Sequence, residues 1–154
     1  MIIRENNYVS NVDQSTTGNI YGIYDINGGA WEYTAAGLTA NVTSMFGSLT
    51  GFDEKYVNRY NGSTNSSATN YSANSGKYGD GIYETSNGVG AYGQGSWHSN
   101  FSGFVKSSYP FFIRGGNYEL GDAAGTFAFD DENGVEAWKY RFPSGYCRVV
   151  FSLA

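Results

Sequence analysis

The sequence predicts a β-rich α+β domain of short strands joined by long loops, and three observations carry that prediction. Gly, Ser, Asn and Thr supply 64 of the 154 residues, side chains that favour turns and short extended segments over long helices. The apolar runs are brief and end in glycine-bearing turns, the texture of strands. Helical spacing is confined to a single stretch, so a helical bundle is excluded. Aromatic residues make up 18% of the chain, led by 14 Tyr and 10 Phe, so the core is expected to be built from rings rather than aliphatic side chains. The length fits one domain, large enough to fold without a disulfide or a metal.

Residues 1–17 are polar and read as an extended lead-in to a domain spanning 18–154. From Gly18 onward Ile20, Tyr21, Ile23, Tyr24 and Ile26 crowd an apolar stretch that ends at the turn Asn27-Gly28-Gly29. Ala30-Trp31-Glu32-Tyr33 follows as the next extended piece. Residues 35–50 are small and mixed and receive no assignment. Phe52, Tyr56 and Tyr60 stand four apart beside Glu54 and Arg59, which predicts a short amphipathic helix over 52–60. Residues 61–76 are rich in Asn, Ser and Thr, with little to bury, and predict a long surface loop. Gly81–Glu84 echoes Gly22–Asp25, but four residues do not make a repeat. Strands are expected at Phe111–Ile113, at Thr126–Phe129 with Phe127 and Phe129 on one face, and at Arg148–Leu153.

A net charge of -5 and a pI near 4.7, without a basic cluster, remove the attraction that drives nucleic-acid binding and adsorption to anionic membranes. No apolar run is long enough to span a bilayer. Cys147 stands alone and forms no internal disulfide. The acidic run Asp130-Asp131-Glu132-Asn133-Gly134 invites a calcium-loop reading, but Phe129 stands where that register needs its first Asp. A solvated turn is the favoured reading. His98, the one histidine, reads as a surface-loop residue, and no spacing gives it zinc co-ligands. Gly88, Gly90, Gly93 and Gly95 open no phosphate-binding helix, and no Ser sits in a nucleophile motif. No catalytic residue, metal or cofactor is expected.

Three strings, taken in order, are similar to motifs of the formylglycine-generating enzyme (sulfatase-modifying factor) family. Gly18–Tyr33 (GNIYGIYDINGGAWEY) resembles N-x-F/Y-G-L-Y-D-M-x-G-N-V-W-E-W, with Gly29 in place of Asn and Tyr33 in place of the second Trp. Phe112–Tyr118 (FIRGGNY) resembles R-G-G-S-W/Y, and Gly145–Val150 (GYCRVV) resembles G-F-R-V. The resemblance implies a variant C-type lectin fold: mostly short antiparallel strands, long Gly/Ser/Asn-rich loops and one or two short helices. It makes Asp25, Trp31, Glu32 and Arg114 scaffold residues. The copper-binding cysteine pair of the catalytic members would fall at Leu120 and Gly125, so their oxidase chemistry is absent. That family's R-L-P-T-E-x-E-W region should precede Gly18, where only 17 residues stand. Either the chain is the C-terminal part of a longer protein or its fold is abbreviated.

The same fold serves non-catalytic relatives, among them the variable proteins of diversity-generating retroelements. Those proteins display a segment between the R-G-G-like and G-F-R-like motifs on their binding face. Here that interval is Asn117–Gly145, with Tyr118, Glu119, Asp122, Asp130, Asp131, Glu132, Asn133, Glu136, Trp138, Lys139, Tyr140 and Arg141 as an assortment suited to recognition. Trp138 and Tyr140 fit either the binding face or an aromatic core. Lys139 and the acidic turn are expected to be exposed. The resemblance therefore implies a non-enzymatic module, displayed on a virion or cell surface, that binds a protein or glycan receptor. The alternative is a structural subunit, pilin-like or a virion decoration, that assembles with copies of itself.

Overall fold

The computed structural model describes residues 30–45, 47–89 and 94–134. The lead-in, the apolar stretch around residues 20–26 and the strand expected at Arg148–Leu153 lie outside the described residues. One mixed four-stranded sheet organises the rest. Its strands are β1 (Glu32–Leu38), β2 (Asn58–Tyr60), β3 (Phe111–Gly115) and β4 (Gly125–Glu132), in the spatial order β2-β1-β3-β4. Two short helices, α1 (Ser67–Ala73) and α2 (Gly81–Glu84), lie in the connection between β2 and β3.

The two central pairings are antiparallel. Glu32 faces Arg114 and Tyr33 faces Ile113 across β1 and β3, while Phe112 faces Asp131 across β3 and β4. Two of the three strand pairings are thus antiparallel, and the sheet is mixed because one edge strand runs parallel to its neighbour. Strand β2 lies parallel to β1. On the far side residues 101–103 run alongside β4, with Gly103 N donating to Phe129 O at 2.8 Å and Phe129 N to Phe101 O at 3.0 Å.

Apolar residues occupy both faces of β3, as expected of a strand covered on each side. Phe112 enters the larger cluster with Leu38, Tyr60, Ile82, Phe104, Val105 and Phe129, whereas Ile113 joins Trp31 and Ala128 on the opposite face. The larger cluster is aromatic, as composition predicted. Phe104 and Phe112 meet edge to face with centroids 5.1 Å apart, and Tyr60 meets each of them at 5.3 and 5.0 Å, the arrangement that ring quadrupoles prefer.

Three local expectations are corrected. No helix forms over 52–60. Phe52 and Tyr56 are exposed, and Tyr60 alone is buried, as the last residue of β2. Helical spacing would have put all three rings on one face, but pairing with β1 carries Tyr60 alone into the core. Residues 61–76 are not all loop, because α1 forms within them. Ser66 caps it by accepting Thr69 N at 3.3 Å, a favoured N-cap arrangement. Besides Tyr71, which packs on Phe104, the helix is anchored by buried amides: Asn70 Nδ2 donates to Thr64 O at 3.0 Å and Val105 O at 2.9 Å, and Asn74 Nδ2 to Asn61 O at 2.6 Å. With Tyr71 as its one large apolar residue, such a helix gives hydrophobic periodicity little to detect.

The third correction concerns the acidic run. Asp130, Asp131 and Glu132 belong to β4, opposite Ile113, Phe112 and Phe111, and are not a solvated turn. The turn starts only at Asn133-Gly134, where Gly134 takes φ 96°, a conformation glycine adopts without strain. His98 lies on an exposed turn, as expected. It has φ 58° and stacks on Phe127 at 5.7 Å.

Candidate functional site

Among the described residues, those singled out between Asn117 and Gly145 divide between an exposed turn and the sheet. Glu119 and Asp122 are exposed on the 3-10 turn Tyr118–Ala123. Asp130 and Asp131 are drawn into the sheet, and Asn133 accepts a hydrogen bond from Ser44 Oγ through its carbonyl at 2.6 Å. Glu136, Trp138, Lys139 and Tyr140 lie outside the described residues, as does the side chain of Tyr118.

Pairing with β3 puts two adjacent carboxyls inside. Asp131 answers burial with an ion pair, its Oδ2 lying 2.9 Å from Lys106 Nζ. Asp130 Oδ1 accepts Asp131 N at 2.9 Å. Burial first, and the charge of Asp131 second, push the Asp130 carboxyl up to about 8, the expected response of a desolvated acid beside another. Asp131 is also raised by burial, against the pull of Lys106. Close packing holds this arrangement, since a Cβ at Gly103 would overlap the Asp130 carboxylate.

A groove of about 610 Å³ opens where β1, β2 and β3 meet the turn at 77–81. Its floor is a prebonded polar cluster. Asp80 Oδ2 accepts Tyr60 Oη at 2.6 Å and Asn58 Nδ2 at 2.9 Å, while Asp80 Oδ1 accepts Ile82 N at 2.9 Å at the start of α2. Lys77 Nζ lies 3.8 Å from Asp80, donates to Arg59 O at 2.8 Å and stands 4.0 Å over the Tyr60 ring. Burial and the Asp80 hydrogen bond raise the Tyr60 phenol far above its ordinary range, so it stays protonated. Burial lowers Lys77, against the opposing effect of Asp80.

Beside this floor the groove offers two exposed rings, one of which, Tyr56, has Lys55 Nζ 4.8 Å from its centroid. Tyr78 is 96% exposed and Tyr56 is 63% exposed. Arg114 lines the groove from β3, with Nη2 donating to Thr126 O at 3.2 Å. The lining contains no histidine, cysteine or serine. Its donors and acceptors are suited to orienting a polar ligand against ring faces. Among the described residues no three His, Cys, Asp or Glu side chains gather as metal ligands, and no helix is long and apolar enough to cross a membrane.

Compared with known proteins, the chain matches no family model, no curated protein and no solved structure.

Sequence reasoning passed over Tyr56, Asn58, Lys77, Tyr78 and Asp80. One signal was present: Lys77-Tyr78-Gly79-Asp80-Gly81 sets an aromatic and two charges among glycines, a pattern that projects a side chain from a turn and supplies an Asp to cap the next helix. Tyr56 carried no such signal, because its spacing from Phe52 and Tyr60 imitates a helix.

Proposed function

We propose that this protein is a non-enzymatic binding module with a variant C-type lectin fold, displayed on a virion or cell surface, that grips a protein or glycan receptor. One observation carries the reading: two exposed tyrosines border a groove whose polar floor is already bonded. Rigid rings give contact area at low entropy cost, and a preorganised floor pays little ordering cost on binding. The lectin-type part is supported by the pairing of two motif strands. Trp31 is buried and Glu32 lies opposite Arg114, although about eighty residues separate them. The groove replaces the acidic run as the described part of the binding face, while Trp138 and Tyr140 keep the role the resemblance implies.

The test is binding of labelled protein to intact bacterial, archaeal and animal cells, beside the Tyr56→Ala, Tyr78→Ala double variant and the Trp138→Ala, Tyr140→Ala double variant. Unfolding curves for all three proteins separate lost binding from lost fold. Saturable binding that disappears in an equally stable Tyr56, Tyr78 variant supports the reading. Binding that survives that variant removes the groove from it.

A second reading, a self-assembling structural subunit, is favoured by Met45, Phe52 and Trp97, which are 87%, 57% and 56% exposed and do not line the groove. Sedimentation across a concentration series tests it, and a monomer at every concentration refutes it.

A further inference from the structure

The charges around the groove are matched in pairs, with one exception. Glu54 Oε1 lies 3.2 Å from Arg59 Nη1, Lys55 Nζ 3.6 Å from Asp53, and Lys77 Nζ 3.8 Å from Asp80. Arg114 has no carboxylate within ion-pairing distance among the described residues. Asp80, the acid that acts on it electrostatically, is already bonded to Tyr60, Asn58 and the backbone of Ile82. Burial works against the Arg114 cation, and one carbonyl, that of Thr126, accepts from it. Three basic and two acidic residues line the groove, so its charge is opposite in sign to the -5 of the whole chain.

A guanidinium fork matches a carboxylate in two parallel hydrogen bonds and gains most where water is partly excluded. The apolar lining then selects among carboxylates. Val57, Ile82 and Phe112 are buried beneath the surface, which leaves the faces of Tyr56 and Tyr78 as the main apolar surface on offer. Flat, hydroxyl-tipped rings fit the C–H faces of a sugar better than they fit an aliphatic side chain, which needs a hole. We propose that the groove recognises an acidic saccharide, with the ligand carboxylate on Arg114 and its rings against Tyr56 and Tyr78. This rests on the reading of the groove as the binding face.

The experiment is an array of sialylated and uronic-acid oligosaccharides printed beside their carboxyl-reduced counterparts, probed with the intact chain and with Tyr78→Ala. The reduced sugars test the charge without altering the protein, and Tyr78 is too exposed for its removal to disturb the fold. The acidic forms should bind about tenfold more tightly than the reduced forms, with a preference that shrinks as salt rises. Tyr78→Ala should weaken binding to the acidic forms by a similar factor. Arg114→Lys should keep attraction at low salt and lose most of the discrimination.

Equal binding of acidic and reduced sugars would overturn the acidic assignment and leave the groove as a glycan site. Binding of acidic peptides in preference to any sugar would overturn the saccharide assignment. No array binding, with cell binding still abolished by Tyr56→Ala, Tyr78→Ala, would sink this inference alone. Loss of neither kind of binding in that variant would sink the groove with it.

Discussion

Asp130→Asn should flatten the pH dependence of stability between about pH 4 and pH 8 and stabilise the protein on the alkaline side. In the folded chain burial and Asp131 push the Asp130 carboxyl from 3.8 up to about 8. The native state therefore holds a proton that the unfolded chain has released, and stability falls as pH rises through this window. The contribution is complete below about pH 4 and gone above about pH 8. Expressed in full, a lift of that size corresponds to ~6 kcal/mol. Lys106 favours the ionised pair, and Asp130 keeps some contact with water, so the expected loss is ~2–3 kcal/mol.

Asn imitates the neutral acid in shape. Its oxygen can still accept Asp131 N, now at 2.9 Å. Urea unfolding followed by tryptophan fluorescence from pH 4 to pH 9 measures the effect, and the difference between parent and variant isolates Asp130 from other carboxylates. The parent's midpoint should fall with rising pH while the variant's changes much less, with m unchanged. Equal slopes in the two proteins, or a variant less stable than the parent at pH 9, would refute the buried-proton argument.

Phe104 is fully buried against Tyr60, Tyr71, Tyr83 and Phe112, so Phe104→Ala should lower unfolding free energy by about 3–5 kcal/mol in urea titration. Tyr60→Phe keeps the ring but removes the hydroxyl shared by Asn58 and Asp80, and should cost about 1–2 kcal/mol in the same assay. Ser66→Ala removes the cap of α1. A loss of about 1 kcal/mol is expected, with thermal melting by circular dichroism as the check.

Legibility followed the range of the interactions. Strands β3 and β4 could be read because Phe111–Ile113 and Thr126–Phe129 carry their own pattern, and Trp31 and Tyr33 mark the entry to β1. The aromatic core was visible in composition alone. Helix α1 was not, because its polar anchors are Asn70 and Asn74, whose partners, the carbonyls of Val105 and Asn61, come from other segments. Strand β2 was masked by the false helical spacing of Phe52, Tyr56 and Tyr60. The acidic strand residues misled for a similar reason: Lys106, the countercharge that lets Asp131 go inside, is distant in sequence. The groove draws on residues 34–36, 54–60, 77–82 and 112–114, and no local pattern joins four such segments. Arg114 was recognised, but as scaffold.

The position of β1 bears on synthesis. It comes first among the described strands yet lies inside the sheet, between β2 and β3, and its antiparallel partner arrives about eighty residues later. At ribosomal rates of roughly 5–20 residues per second, Trp31 and Tyr33 wait about 4–16 seconds for β3. In that interval, among the described residues, β2 offers β1 a three-residue parallel partner, and the edge of β1 that β3 will fill stays open. A chaperone that binds aromatic segments would meet this chain at β1, and its dependence on that help should ease in a circular permutant that delivers β3 before β1.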